Sequence, residues 1–177
     1  GVSGYLNSTG DYIIGANAYE YPQKQNMELL SFAKSSFAIQ MKVTVGIEGL
    51  WNGAAQSRDS LIVYLRISAA PFDKVDSAVA YLNTTCDDTV SFFNAPAASY
   101  YVSVSHRNSL ETWTTGTQAL SPGSYFTQDF TSSQSAAYGN NLIFYNNKWC
   151  IYSGDINKDG FINGNDFTTF STQFGQS

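Results

Sequence analysis

The stretch Ile39–Glu48 (IQMKVTVGIE) alternates apolar and polar residues along its length. Every odd-numbered position from 39 to 47 is apolar, and the even-numbered positions carry glutamine, lysine, threonine, glycine and glutamate. A period of two residues is typical of a strand with one buried and one solvent-facing side. The stretch therefore predicts a half-buried β-strand, and the same pattern recurs downstream.

Seven later segments are also β-rich, and turn residues such as Asn52-Gly53 separate them. Short strands at such intervals predict an all-β fold, either an antiparallel β-sandwich of immunoglobulin-like or prealbumin-like type or a sheet closed on itself. The sandwich is the preferred prediction, over residues 39–153. The expected strands are Leu61–Ser68, Ala78–Asn83, Thr89–Asn94, Tyr100–His106, Tyr125–Phe130, Leu142–Tyr145 and Lys148–Tyr152.

The composition argues against several classes of protein. Nine basic residues oppose fourteen acidic ones among 177, and only 13% of residues are charged. Because phosphate binding needs a patch of Lys and Arg, nucleic acid is not an expected partner. No apolar run reaches the length of a transmembrane helix. Abundant Ser, Thr and Asn with 12 Tyr and 12 Phe favour an extracellular β-protein, and the start at Gly1 suggests a mature form or a fragment.

The two cysteines, Cys86 and Cys150, lack the CxxC spacing of a zinc site. We expect them to form a disulfide, with two buried thiols as the alternative. A bridge over this span would contribute about 4 kcal/mol in the chain-entropy model. It would also place the protein outside the cytosol.

Residues 1–38 do not continue the sandwich pattern and are interpreted as an N-terminal extension. The apolar stretch Tyr12–Tyr19 predicts a short strand that could be donated to a neighbouring subunit. The segment Asn26–Lys34 fits either a short amphipathic helix or an extended lead-in to the first strand of the sandwich. The candidate subunit contact consists of Tyr12, Ile13, Ile14, Ala16 and Ala18.

The last segment, residues 154–177, contains the most specific motif of the chain. Oxygen-bearing side chains occur at positions 1, 3, 5, 9 and 12 of a twelve-residue loop, with Gly160 at position 6. This spacing matches a calcium loop of EF-hand type, because Ca²⁺ prefers six to eight oxygen ligands around a sharp turn. The predicted ligands are Asp155, Asn157, Asp159, the backbone carbonyl of Phe161, Asn163 and Asp166.

A helix is expected to follow the loop. Over Asp166–Phe174, the residues Phe167, Phe170 and Phe174 recur at the spacing of one helix face. Position 12 of the loop is Asp166 instead of the glutamate of sensor EF-hands, so the helix must approach the ion more closely.

The loop resembles the type I dockerin calcium motif. A dockerin has two such loop–helix repeats and binds a cohesin through them. One repeat is present here, so the resemblance implies calcium binding but not cohesin binding. The single loop is expected to act as a clip between the sandwich and the C-terminal helix.

Further segments resemble a β-sandwich module near the C-termini of large secreted bacterial proteins, many of them exported by the type IX route. The resemblance covers roughly residues 43–168 and implies a sandwich fold and an extracellular or cell-surface location. It implies no catalytic activity. The segments that carry it are Ile47–Gly53, Tyr100–Trp113, Tyr138–Asn141 and Ile151–Asp155.

Candidate catalytic residues are sparse. His106 is the single histidine, and an acid–base pair with Glu111 is the strongest catalytic hypothesis. No nucleophile motif accompanies this pair, so we expect no enzymatic activity. Trp51, Trp113 and Trp149 could stack on sugars, but we favour a role in packing.

Three Asp-Ser/Thr-apolar triplets begin at Asp59, Asp76 and Asp88. They resemble the O-glycosylation sequon of some bacteria that use type IX export. The candidate acceptors are therefore Ser60, Ser77 and Thr89. Asp-Ser and Asp-Thr pairs also occur at strand starts without modification.

Together these features predict a non-enzymatic, calcium-stabilised subunit that assembles with copies of itself into a surface filament or layer. The alternative is a carbohydrate-binding or adhesion module of a larger secreted protein. A weakly charged surface rich in hydroxyl, amide and aromatic groups favours the first interpretation.

Overall fold

The computed structural model describes residues 2–6, 12–16 and 37–174. In these ranges the protein is mostly β, with several sheets and one short α-helix. The chain divides into two compact units, Gly1–Phe37 and Ala38–Ser177.

The first unit contains a β-hairpin. Strand β1 (Val2–Leu6) pairs antiparallel with β2 (Tyr12–Ala16), and Val2 lies opposite Ala16. The predicted strand at Tyr12–Tyr19 is confirmed over Tyr12–Ala16. Strand β1 was not predicted, because Ser3 and Gly4 interrupt its apolar pattern. Ala18 and the candidate helix at residues 26–34 lie outside the described residues.

The second unit contains eleven strands and one α-helix in its described part. Two short 3₁₀ turns, Gln134–Ala136 and Tyr138–Asn140, precede its last hairpin. The strands are β3 (Ile39–Thr44), β4 (Gly46–Ile47), β5 (Asp59–Ile67), β6 (Lys74–Leu82), β7 (Asp87–Phe92), β8 (Ala98–Ser105), β9 (Thr112–Trp113), β10 (Gln118–Leu120), β11 (Tyr125–Asp129), β12 (Ile143–Tyr145) and β13 (Lys148–Ile151), followed by α1 (Gly164–Gln173).

These strands form three hydrogen-bonded sheets. The largest has the order β10-β8-β5-β6, with β9 also paired to β8. The other two have the orders β11-β3-β7 and β12-β13-β4. Since β3 and β4 are consecutive parts of the stretch 39–47, this stretch connects the two smaller sheets.

Two strand pairs differ from the predicted antiparallel arrangement. Strand β11 runs parallel to β3, with Tyr125 opposite Gln40, and β13 runs parallel to β4, with Cys150 opposite Gly46. Parallel neighbours need a long crossover connection, which local patterns do not reveal. All other strand pairs in the described sheets are antiparallel.

An apolar core in the described part of the second unit explains the alternation that the sequence shows. All five odd-numbered side chains from 39 to 47 are fully buried, as predicted. Val63 and Leu65 of β5, and Val102 and Val104 of β8, belong to the same buried cluster. The largest sheet and the sheet around β3 therefore share one core, which is compatible with the predicted β-sandwich.

The predicted disulfide is absent, because Cys86 and Cys150 are both free thiols. The backbone carbonyl of Cys86 accepts a hydrogen bond from Val45 N–H at one edge of the stretch 39–47, whereas Cys150 pairs with Gly46 at the other edge. The Cα atoms of two residues on opposite edges of one strand lie about 9–10 Å apart, which is beyond the Cα–Cα spacing of a disulfide. Both thiols are buried, so the alternative interpretation is the one that the structure shows.

Burial dominates the chemistry of these thiols. It raises the pKa of Cys150 to about 12, and the nearby Cys86 thiol contributes in the same direction. Gly46 lies beneath Cys150, since a Cβ at position 46 would stand 2.8 Å from Cys150 Sγ and 2.8 Å from the Trp149 carbonyl oxygen.

We predict that Gly46→Ala lowers the free energy of unfolding by about 1–3 kcal/mol, as overpacking does elsewhere. The backbone oxygen of Trp149 cannot move aside as a flexible side chain would. Urea unfolding followed by tryptophan fluorescence measures the change. Gly116→Ala is the matched control, because nothing lies within 4 Å of its added Cβ. Equal stability of the two variants would contradict the prediction.

Candidate metal centre

The candidate loop begins four residues after β13 ends and closes at the first turn of α1. Lys158 and Gly160 have positive φ angles of 61° and 86°, which produce the sharp turn that the motif requires. Glycine at position 160 adopts this conformation without steric cost. The chain therefore folds back so that both ends of the motif, Asp155 and Asp166, lie within one compact loop.

Asp155 is the most informative side chain of the loop. It is 2% exposed. Its Oδ2 accepts the backbone N–H of Gly160 at 3.3 Å. Its Oδ1 is buried and has no hydrogen-bond partner among the described residues. A buried carboxylate oxygen without a donor is costly, and a bound cation is one way to satisfy it.

Asp166 closes the loop through backbone hydrogen bonds. Its Oδ1 accepts from Ile156 N–H at 2.8 Å and Asn157 N–H at 3.2 Å, and its Oδ2 accepts from Asn163 N–H at 2.8 Å. These bonds, that from Asn163 first, hold the pKa of Asp166 below its usual value against the opposing effect of burial. The carboxylate thus carries its charge where the loop meets the helix.

The remaining predicted ligands lie along the turn. Asn157 Oδ1 accepts from Asp159 N–H at 3.0 Å, and Asp159 Oδ1 accepts from Phe161 N–H at 2.9 Å. Asn163 caps α1 by accepting Asn165 N–H at 2.7 Å and takes part in a capping box with Asp166. The oxygen donors of the motif therefore occur in one ordered loop.

No group of three or more His, Cys, Asp or Glu side chains suited to a metal is present in the described part of the chain. The motif supplies three carboxylates, and its other donors are two asparagine amides and one backbone carbonyl. Both carboxylate oxygens of Asp166 accept hydrogen bonds from backbone N–H groups of the loop. The donor set is nevertheless all oxygen, which suits a hard cation such as Ca²⁺.

Lys158 anchors the loop to the rest of the unit, a role that sequence reasoning missed. Its Nζ donates to the backbone carbonyls of His106 and Ser109. Gly154 N–H donates to Asn108 O at 2.6 Å on the same β8–β9 connection. The sequence gives no signal for this role of the lysine at position 4 of the loop, because its hydrogen-bond partners lie about fifty residues away in the chain.

His106 is part of this anchor. Its ring is 1% exposed, with Nδ1 3.0 Å from Ser109 Oγ and Nε2 3.4 Å from Asp59 Oδ2. Burial lowers the pKa of His106, although the Asp59 carboxylate acts in the opposite direction. Glu111 instead binds Arg66 at 2.7 Å and Ser103 at 2.8 Å. The hypothetical acid–base pair of His106 and Glu111 is therefore not assembled.

A surface cavity of about 580 Å³ lies beside the loop. Asp155 and Asp159 line one part of it, and Lys74 and Glu111 line another. The cavity gives solvent and small ions a route to the loop without a change of fold.

The tryptophans make intramolecular contacts. The Arg66 guanidinium lies 4.4 Å from the Trp113 ring centroid, and Lys148 Nζ lies 4.6 Å from that of Trp51. Trp149 packs against Phe144 at 5.2 Å. These contacts occupy ring surface that a sugar would need.

The three Asp-Ser/Thr triplets share one local geometry. In each, the aspartate Oδ1 accepts the backbone N–H of the next residue at 2.8 Å. The hydroxyl-bearing residues Ser60, Ser77 and Thr89 are all exposed. The candidate acceptors are therefore accessible from solvent.

Neither a scan against protein-family models nor a search of curated proteins finds a match to this chain. None of the helices in the described residues is long and apolar enough to cross a membrane. Four candidate subunit-contact residues, Tyr12, Ile13, Ile14 and Ala16, lie in strand β2.

We predict that the free energy of unfolding falls as the pH is lowered from about 7.5 to 5.5. The folded-state pKa of His106 is depressed, so the unfolded chain binds a proton near pH 6.5 that the folded chain does not bind. Stability is therefore greatest above this pH and decreases below it.

Urea unfolding at a series of pH values measures the effect, and His106→Gln is the comparison because the chain has no other histidine. The variant should lose the slope in this window. The Asp59 carboxylate does not titrate here, since its bonds from Ser60, Arg107 and His106 outweigh burial and lower its pKa. An unchanged slope in His106→Gln would refute the assignment.

Proposed function

We propose that this protein is a non-enzymatic extracellular subunit, stabilised by calcium, that assembles with copies of itself into a surface filament or layer through its N-terminal hairpin. The hairpin of β1 and β2 carries the proposal. It is a two-stranded element in a separate compact unit. An isolated two-stranded hairpin is marginal in water, so a third strand or a packing partner should stabilise it.

The hairpin has the chemistry of a strand donor. Its strands contain Val2, Tyr5 and Leu6 in β1 and the run Tyr12–Ile14 in β2, with no charged residue. An uncharged strand edge pairs readily with the edge of another chain. Heterologous contacts of this kind extend into a filament where the rotation between subunits does not close a ring.

The second unit would be the rigid body of the subunit. We propose that its sheets form an immunoglobulin-like β-sandwich around the shared core. The resemblance to a module of secreted bacterial proteins, together with the low charge, supports an extracellular or cell-surface location. The free thiols give no support to this location, so it depends on composition and resemblance.

Calcium binding is proposed for the loop at residues 155–166. Asp155, Asn157 and Asp159 would supply side-chain oxygens, Phe161 its carbonyl, and Asn163 and Asp166 the remaining positions. The unpartnered Oδ1 of Asp155 supports this set, because it is a buried anionic oxygen with no donor in the described residues. The ion would supply positive charge there and fix the loop against the Lys158 anchor.

We predict that a calcium chelator lowers the melting temperature. At a calcium concentration about a hundredfold above Kd, the difference should be roughly 5–10 °C. Differential scanning calorimetry of the full chain, in calcium and in chelator, measures it. Asp155→Ala should abolish the difference, whereas Asp73→Ala, at an exposed position outside the loop, should retain it.

The measured quantity is the difference in melting temperature between calcium and chelator. A general loss of stability in Asp155→Ala lowers both melting temperatures and is therefore distinguished from loss of the calcium site. A wild-type melting temperature that is equal in calcium and in chelator would rule out the metal assignment.

We predict regular filaments or sheets in negative-stain electron micrographs of the wild-type chain in calcium buffer. Deletion of residues 1–20 should give dispersed particles that retain a cooperative melting transition. Ile14→Pro should do the same, because proline removes the backbone N–H of residue 14 and is poorly tolerated inside a five-residue strand. Ile14→Val is the control and should still assemble, since valine favours strands.

Polymers that persist after the deletion would show that the hairpin is not the contact. Dispersed wild-type particles would argue against the assembly function itself. The alternative, a carbohydrate-binding or adhesion module, would then gain support. That alternative has less support at present, because cations lie against the rings of Trp51 and Trp113. O-glycosylation at Ser60, Ser77 and Thr89 is compatible with either function.

A further inference from the structure

Strand β11 pairs with another strand along one of its edges only. It is the end strand of the sheet β11-β3-β7. Ser124 O accepts a hydrogen bond from β3 and Phe130 N–H donates one to it, each at 2.9 Å, so the even-numbered residues of this segment direct their backbone groups towards β3. Successive residues of a strand direct these groups to opposite sides. The backbone groups of Tyr125, Thr127 and Asp129 therefore point away from β3, and we call them the β11 edge.

The β11 edge is open within the described part of the chain. No backbone hydrogen bond outside the strand pairs involves its three residues. Tyr125 is 60% exposed, and Thr127 is exposed as well. The one charged side chain of the strand, Asp129, already accepts Thr131 N–H at 2.7 Å. Unpaired N–H and C=O groups in a row, without a free charge among them, form a template for a further strand.

The other long end strands of the second unit, β6 and β7, are bridged to each other. Asp88 Oδ2 in β7 accepts Tyr81 N–H of β6 at 2.7 Å. Asp76 Oδ2 in β6 accepts Asn94 N–H, just beyond β7, at 2.7 Å. Carboxylates along an edge oppose the approach of another strand. The remaining strands at sheet ends have two or three residues each, namely β4, β9, β10 and β12. Among the described strands of this unit, β11 is therefore the longest with an open edge.

We propose that the β11 edge accepts the N-terminal hairpin of a second copy of this chain. This contact rests on the proposed assembly function and names the acceptor within it. Strands β1 and β2 form a two-stranded sheet, and each has five residues, as β11 has. A two-stranded hairpin lacks the third strand that it needs for stability, and β11 supplies one. Pairing would satisfy the backbone groups of donor and acceptor together.

The core side of β11 favours an apolar donor. Phe126 is half-buried and packs against the core cluster, so part of its ring remains to be covered. The β2 sequence has isoleucine at positions 13 and 14, and successive residues of a strand lie on opposite faces. One isoleucine would therefore lie on the core side whichever face of the hairpin docks. Donor and acceptor are different surfaces, so the contact is heterologous and each copy can both give and receive a hairpin.

Photo-cross-linking of the full-length chain, with benzoylphenylalanine in place of Tyr125, tests the proposal. Light and heavy-isotope-labelled chains are mixed in equal amounts while dilute, concentrated in calcium buffer and irradiated. Mass spectrometry of the digest should find cross-links from position 125 to residues 1–16. Pairs of mixed label should be as frequent as all pairs of like label together. Benzoylphenylalanine in place of Tyr81, which is 72% exposed on the bridged strand β6, is the matched control and should give no such cross-links.

A proline substitution tests the acceptor edge itself. Thr127→Pro removes an N–H of the β11 edge and no hydrogen bond to β3, which is where a strand tolerates proline. It should keep a cooperative melting transition and lose the mixed-label cross-links. Val79→Pro is its control. Val79 lies two residues from Tyr81, so its N–H also points outward from β6, and its loss should leave the cross-links in place.

The possible outcomes separate this contact from the assembly function. No cross-link from position 125 to residues 1–16 would overturn the proposal, as would mixed-label cross-links that survive Thr127→Pro. Cross-links between like labels alone would place the hairpin on β11 of its own chain and would also overturn it. Filaments without the position-125 cross-link would uphold the assembly function with another acceptor. Mixed-label cross-links in dispersed particles would uphold the β11 contact and count against the filament.

Discussion

The fold depends on one constraint, the complete burial of one side of the stretch 39–47 while strands pair along both of its edges. Its odd-numbered side chains contribute to the core, and its backbone groups pair with β7, β11 and β13. Position 46 has no side chain, and Cys150 Sγ occupies the adjacent space. Any change in the register of this stretch would move its apolar side chains to the outer face and would separate three strands at once.

Polar contacts at the strand ends position the candidate metal centre. Lys158 binds two carbonyls of the β8–β9 connection, and His106 beneath it contacts Asp59 at the start of β5. Ser153 N–H donates to Glu48 Oε2 at 3.1 Å, which joins the segment before the loop to the end of β4. These groups are partly or fully buried, so their hydrogen bonds are worth more than surface pairs. The loop is therefore fixed from its first residues, whereas α1 beyond it is almost wholly exposed.

Local patterns predicted the strands well, because alternation in a segment such as Ile39–Glu48 reports burial directly. They did not predict the parallel pairs of β11 and β13, since the choice of partner depends on residues far away in the sequence. The predicted disulfide between Cys86 and Cys150 was wrong for the same reason, because the stretch 39–47 lies between the two residues. In the candidate site the spacing of the oxygen-bearing side chains was visible in the sequence, but the Lys158 anchor was not. The phenylalanine periodicity predicted the helix correctly without showing that its apolar side is exposed.

The parallel pairing of β11 with β3 and of β13 with β4 also constrains the order in which the molecule can form. Gln40 cannot pair before Tyr125 has been synthesised, and Gly46 cannot pair before Cys150, so one edge of the stretch 39–47 stays unpaired until then. Contacts between residues this distant in sequence form slowly, because closing the intervening loop costs entropy before any pairing is gained. A nascent chain would therefore carry the stretch 39–47 with one unpaired edge until well after that stretch has been synthesised, and during this time the edge is open to pairing with other chains.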